Sequence, residues 1–254
     1  MRPTASGKVL AILDAFDADH TALTLSQLAR RCNLPLSTAH RLAAELTAWG
    51  GLERGPDQRF RIGLHLWEIA SMAPRGLGLR EAAMPYMSDL FEATHENVQL
   101  AVREGIEVVF VDRIAGRHAV PVLTRVGLRF PMSATGVGLV LLAYAPPEVQ
   151  EQALSTPMER FTPKTVVDPV QLRRVLAEVR RTGLAVSDRQ VTMDALSVAA
   201  PVIGPDGRVL AALSVVVQAD RAQPTALAPA VRAAARGISR VLGAPLQPRT
   251  DPAG

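Results

Sequence analysis

Residues 25–46, LSQLARRCNLPLSTAHRLAAEL, allow few arrangements of the chain around them. Leu25, Leu28, Ala29 and Cys32 recur at helical spacing, and so do Ala39, Leu42, Ala43 and Leu46. Between the two stripes stand Asn33, a residue type that tolerates the left-handed backbone, and Pro35, which suits a first helical turn. Helices joined this tightly must cross closely, and Ala29 supplies a small side chain at the crossing. Leu34 and Leu36 are expected to plug the angle. Thr24 or Ser26 is expected to cap the first helix, and Ser37 or a neighbour the second. The inward set leaves Ser37, Thr38, His40, Arg41, Ala44 and Glu45 outward. Short polar groups and an arginine at the start of the second helix of a helix-turn-helix are what major-groove reading requires. A plain helical hairpin shows the same stripes, but leaves the register of the small, turn and plug positions unexplained.

The flanks extend this reading. Val9, Ile12, Leu13 and Phe16 place a helix over 8–17. After Gly50 and Gly51, residues 52–62 (LERGPDQRFRI) read as a hairpin around Gly-Pro-Asp-Gln, with Arg59 and Arg61 on one side and Phe60 and Ile62 on the other. Such a hairpin is a wing, and Arg54, Arg59 and Arg61 are its candidates for phosphate or minor-groove contact. An edge strand whose charges discourage aggregation is the other reading. Residues 24–66 hold six arginines against Glu45, Glu53 and Asp57. A further apolar helical stretch covers 64–72, and Pro74, Gly76 and Gly78 mark a boundary near 73–79.

Beyond that boundary the pattern is mixed. Helices are expected over 79–94, from the 133–143 stretch to about Tyr144, from Pro146–Pro147, over 168–182 and over 226–242. Strands are expected in 98–114 around a Glu-Gly turn, in 119–126, 184–188, 196–203 and 209–217. The order suits an antiparallel sheet flanked by helices, hence an α+β chain. The C-terminal PLQPRTDPAG has the content of a frayed tail.

The 133–143 stretch, SATGVGLVLLA, is a tight loop opening a helix, a junction that suits an anion. It is not a nucleotide loop. Gly138 is followed by Leu139 and Val140 rather than Lys and Ser or Thr, Leu141 stands where a third glycine is needed, and 129–132 is a poor strand. No GxSxG elbow occurs. His20, His40, His65, His95 and His118 are scattered, without an i/i+4 pair. No catalytic residue, metal site or cofactor is therefore expected, and the chain is not expected to be an enzyme.

The motifs in this order resemble the isocitrate lyase regulator (IclR) family of bacterial transcription factors over about residues 7–241. The resemblance rests on 25–46 and 52–63 in the first domain. In the second it rests on VVFVDRI, SATGVGLVLLA, GLAVSD at 183–188, and LSVAAPVIGPDGRVLAALSV at 196–215. It implies a winged helix-turn-helix over 7–63, a linker helix over 64–78, and a GAF-like effector-binding and oligomerisation domain over 79–245. It also implies homodimers or dimers of dimers and a palindromic double-stranded DNA operator, with repression or activation governed by a small acidic metabolite. Ser37, Thr38, His40 and Arg41 are expected to read bases, with Arg54, Arg59 and Arg61 beside them. Carried over by position, the effector site comprises Thr135, Gly136, Val137, Ser187, Asp188, Ser197, Ser214 and Val216. This chain has Leu139 where relatives often carry Lys, Ser197 where Cys is frequent, and Val137 and Val216 at smaller or polar positions. Fewer polar partners imply a less polar effector than glyoxylate or pyruvate, an aromatic or branched acid. A GAF-like module whose winged helix serves protein contact, or assists an enzyme, is the alternative.

Bulk properties agree. No apolar run reaches bilayer length, the first seven residues carry no secretory core, and the lone Cys32 rules out an internal disulfide, so the cytoplasm is expected and no membrane partner. The net charge is only +4, and 26 of the 28 cationic side chains are Arg. That bias follows from codon usage in a GC-rich genome as readily as from anion recognition, so charge alone does not establish DNA binding.

Overall fold

The computed structural model describes residues 4–17, 19–73, 77–117 and 119–245. His118 and most of the C-terminal stretch lie outside them, as does part of the anticipated 73–79 boundary. Contacts divide the chain into two compact units between Leu77 and Gly78.

The first unit holds α1 (Ala5–Asp14), α2 (Leu25–Arg31), α3 (Leu36–Trp49), the hairpin β1 (Leu52–Arg54) and β2 (Phe60–Ile62), and α4 (Leu64–Ser71). Its core is small: Ile12, Leu23, Leu28, Leu42, Ala43, Leu46, Leu52 and Phe60. Thr24 caps α2 through its hydroxyl, which accepts from Gln27 N, while Gln27 Oε1 accepts from Thr24 N. This reciprocal capping box satisfies two amides that the helix leaves without partners. Asn33 adopts φ +51°, the left-handed turn expected of it. Cys32 donates to Ala11 O at 3.2 Å and packs at the edge of the core.

Two expectations fail here. Leu36 does not plug the interhelical angle; it is 53% exposed. It opens α3 one turn ahead of Ala39, the first residue of the stripe that meets the core, and Leu34 alone packs there. Nor does Ser37 cap α3. The helix starts at Leu36 with Pro35 in the cap position, and Pro35 O accepts from Ala39 N. In the return strand Phe60 is buried but Ile62 is exposed, because the unit has no further core beneath it. Every residue of α4 is at least partly exposed.

The second unit is built on six antiparallel strands in the order β5-β4-β3-β8-β7-β6. These are β3 (Asn97–Glu104), β4 (Glu107–Ile114), β5 (Arg129–Pro131), β6 (Ala185–Asp188), β7 (Ala195–Ile203) and β8 (Val209–Gln218). The helices are α5 (Leu77–Thr94), α6 (Gly136–Ala143), α7 (Pro147–Ser155), α8 (Pro169–Thr182) and α9 (Pro224–Val241). Successive strand residues face opposite sides. Val98, Leu100, Val198, Ala200, Leu213 and Val215 form one core with residues of α5 and α9. Ala101, Ala185, Ala199 and Ala212 form another with α6, α7 and α8. Small side chains on that second face let the apolar α6, buried along its whole length, lie close to the sheet.

The sheet corrects two further expectations. Residues 119–126 form no strand, and 129–131 do. The edge of β4 is taken by the later segment, with Phe110 N donating to Leu128 O and Gly127 N to Phe110 O, before the β5 register begins. The earlier segment contains Pro121, which has no N–H to offer a ladder. Its carbonyls are met by side chains instead: Asn97 Nδ2 donates to Val120 O and Arg113 Nη1 to Thr124 O, each at 2.8 Å.

Candidate functional site

On the first unit, Ser37, His40 and Arg41 are exposed on α3 and Thr38 is half-buried beside them, all on the side away from Ala39, Leu42 and Ala43. The cations around them are engaged within the unit. Arg41 Nη1 meets Glu45 Oε1 at 2.5 Å. Arg61 holds both oxygens of Asp57, at 2.7 and 3.0 Å. Hydrogen bonding to Arg61, helped by the amide of Arg59, holds the Asp57 carboxyl down at about 2. Arg59 Nη1 donates to Ala22 O at 3.3 Å, and the Arg54 guanidinium lies 5.3 Å from the Phe60 ring centre. Exposed pairs of this kind contribute little to stability, so these cations can exchange a protein partner for a phosphate at small cost.

On the second unit, the start of α6 faces the sheet across a cavity of about 50 Å3. Thr135 caps the helix, accepting from Gly138 N at 3.0 Å. Both glycines of the loop are needed for close approach. A Cβ at Gly138 would lie 2.3 Å from Met132 O, and one at Gly136 would lie 2.5 Å from Ser197 Oγ. Real side-chain contacts essentially never reach such distances. Ser187 Oγ donates to Ala134 O at 2.9 Å and ties β6 to the loop.

Of the eight effector candidates, Thr135, Gly136, Val137, Ser187, Ser197 and Val216 line this cavity. Two do not. Asp188 follows Ser187 on β6 and therefore faces the other way, exposed and paired with Arg189 at 2.9 Å. Ser214 lies in the same row as Ala199 and is fully covered, and its hydroxyl has no hydrogen-bond partner. Sequence reasoning missed Gln99, Phe110, Thr124 and Gln190 in the lining. Gln99 carried a signal, a polar residue at an inward step of an apolar strand; Thr124 carried none, since its segment read as a strand. Among the described residues, no charged side chain lines the cavity and no group of three His, Cys, Asp or Glu could hold a metal ion.

A helical unit with a basic hairpin, followed by a helix-flanked sheet with a small cavity, is the arrangement that two family models match. The IclR helix-turn-helix domain matches residues 7–56, and the C-terminal domain of the bacterial transcriptional regulator IclR matches residues 73–240. The chain belongs to the IclR family.

This IclR-family regulator is 30% identical over 247 residues to the HTH-type transcriptional regulator XynR of Escherichia coli K12, covering 94% of this chain and 96% of that one. It is 30% identical over the same length to the HTH-type transcriptional repressor AllR of Klebsiella pneumoniae, covering 95% and 90%. Among solved structures, an IclR homologue from Microbacterium hydrocarbonoxydans in complex with 4-hydroxybenzoate is 41% identical. Its TM-score is 0.89, over 92% of this chain and 97% of that one. The chain is thus a ligand-responsive DNA-binding transcriptional regulator. Its relatives are regulators rather than enzymes, and the accessory-module alternative is not favoured.

Proposed function

We propose that this regulator binds a palindromic operator as a homodimer or dimer of dimers, and that a small aromatic or branched acid in the α6 cavity changes its operator affinity. The observation that carries the effector half is the lining: hydroxyls and one helix N-terminus together with Phe110, Val137 and Val216, and no charged group. An amphiphilic acid matches it, with its carboxylate toward the first-turn amides and its apolar body against the valines. The relative that holds 4-hydroxybenzoate supports this class of ligand.

In this reading residues 7–63 contact DNA, 64–78 connect, and 79–245 bind the effector and assemble. Ser37, Thr38, His40 and Arg41 meet base edges, and Arg54, Arg59 and Arg61 meet phosphates. Two copies are needed to match two half-sites. Leu64, Trp67 and Ile69 on α4 and Met72 just after it, all well exposed, support a second copy covering them. The regulator works in the cytoplasm, by binding alone and without catalysis.

Selection of genomic fragments at low salt, followed by operator titration with 4-hydroxybenzoate and related acids, tests the proposal. The expected result is an inverted repeat whose affinity falls steeply with salt and shifts with a bound acid. An acid that binds but leaves operator affinity unchanged overturns the effector half, and a retained site without symmetry overturns the dimer half.

A further inference from the structure

Two stretches of the cavity wall are not regular structure: residues 190–192, between β6 and β7, and part of residues 119–128, with Val122, Leu123 and Thr124 in the lining. Little burial holds the 119–128 segment: Leu123 is 60% exposed and Val126 54%. Its two ends are fixed, at Val120 O by Asn97 and at Gly127 and Leu128 by the edge of β4. In its middle Thr124 is held twice. Arg113 takes the Thr124 carbonyl, and Gln99 Nε2 donates to the Thr124 hydroxyl at 2.5 Å.

Gln99 differs from the other polar groups around the cavity. Thr135 serves the first turn of α6, Ser187 bonds Ala134 O, and Gln190 Oε1 accepts from Val166 N at 3.2 Å. Each of these holds backbone of the framework. The Gln99–Thr124 bond is, among the described residues, the side chain–side chain hydrogen bond of the lining, and it joins the sheet floor to the 119–128 segment. An amide has two N–H donors and a carbonyl acceptor. Gln99, only 3% exposed, lines the cavity and donates to Thr124, so an acceptor brought into the cavity competes with that hydroxyl for the amide.

We infer that Gln99 is the positioning residue through which an occupant of the cavity acts on residues 119–128. A carboxylate or phenolic oxygen of the ligand takes the Gln99 amide, Thr124 is released, and the segment re-seats between its fixed ends. This rests on the ligand-responsive reading given above. Exchanging one acceptor for another at Gln99 is close to neutral in itself, so the ligand's other contacts decide the balance. The same segment also walls a second cavity, of about 770 Å3, through Val120, beside Glu96, Val217 and Arg221.

Amide hydrogen exchange on the full chain tests this, with Gln99→Leu and Thr124→Val as variants and strands β7 and β8 as the internal reference for folding. Without ligand, either variant should speed exchange within 119–128 by about tenfold and leave the reference strands unchanged. Saturating 4-hydroxybenzoate should alter exchange in 119–128 of the wild-type chain, and in Thr124→Val, which lacks the bond to be released, it should add no such change. Unaltered exchange in both ligand-free variants overturns the inference. So does binding to the wild-type chain with an unmoved segment, although the effector reading then stands. If neither 4-hydroxybenzoate nor its close analogues bind the wild-type chain, the aromatic-acid reading falls and this inference with it.

Discussion

Gly136 and Ser197 leave no room for a methyl group between them: a Cβ on the glycine would stand 2.5 Å from the serine Oγ and 3.1 Å from its Cβ. The start of α6 is pressed against β7 at the point where the cavity lies. Gly136→Ala should therefore cost about 1–3 kcal/mol by overpacking and weaken ligand binding. Adding Ser197→Gly should recover part of that loss, which urea unfolding of both variants measures. Equal stability of Gly136→Ala and the parent would show that the helix simply shifts.

Arg41 lies in the first half of α3, and its pair with Glu45 is exposed. Arg41→Ala should lower operator affinity by about 1–3 kcal/mol and relax preference at one base pair. Weakening that is uniform over all sequences would make Arg41 a phosphate contact. Glu45→Ala should tighten binding, since it removes both a competitor and a negative charge.

Asp57 masks the wing cation Arg61. Its carboxyl sits at about 2 against an ordinary 3.8, so the pair's contribution is complete above about pH 4 and is lost as pH falls through about 2. Operator binding between pH 6 and 8 should then show no step from this group. Asp57→Asn should raise affinity and steepen the dependence on salt by about one counterion, read as the slope of log affinity against log salt.

The capping box of α2 is the best-defined local device in the first unit. Thr24→Ala should destabilise that unit by about 1 kcal/mol, seen in thermal or urea unfolding, whereas Thr24→Ser should be nearly silent.

Much of this architecture was legible because local chemistry and tertiary packing agree. Asn33 at the left-handed turn, Gly50 and Gly183 ending helices and Gly105 turning the β3–β4 hairpin all occupy conformations their sequence contexts announce. The failures have physical causes. Leu36 looked like core because it keeps phase with Ala39, but the helix outruns its small core at that end. Residues 119–126 looked like a strand because they alternate, yet Pro121 offers no N–H, Asn97 and Arg113 take two of the segment's carbonyls, and Gln99 takes the Thr124 hydroxyl. The site divided along the same line. Residues on α6 and several inward steps of β6 to β8 could be placed by register, with Asp188 one step out of phase and Ser214 covered outside the lining. Thr124 could not, because nothing local marks a segment whose position is set by Gln99 and Arg113 25 and 11 residues away.

The two faces of the central sheet also separate what selection can act on. On β7, Ser197 borders the ligand cavity while Val198, its immediate neighbour, sits in the opposite core beneath α5 and α9. Inheritance through alternate codons of one short strand thus carries two independent messages. A lineage can reshape the cavity by drifting at every second position, while the intervening positions keep the scaffold intact.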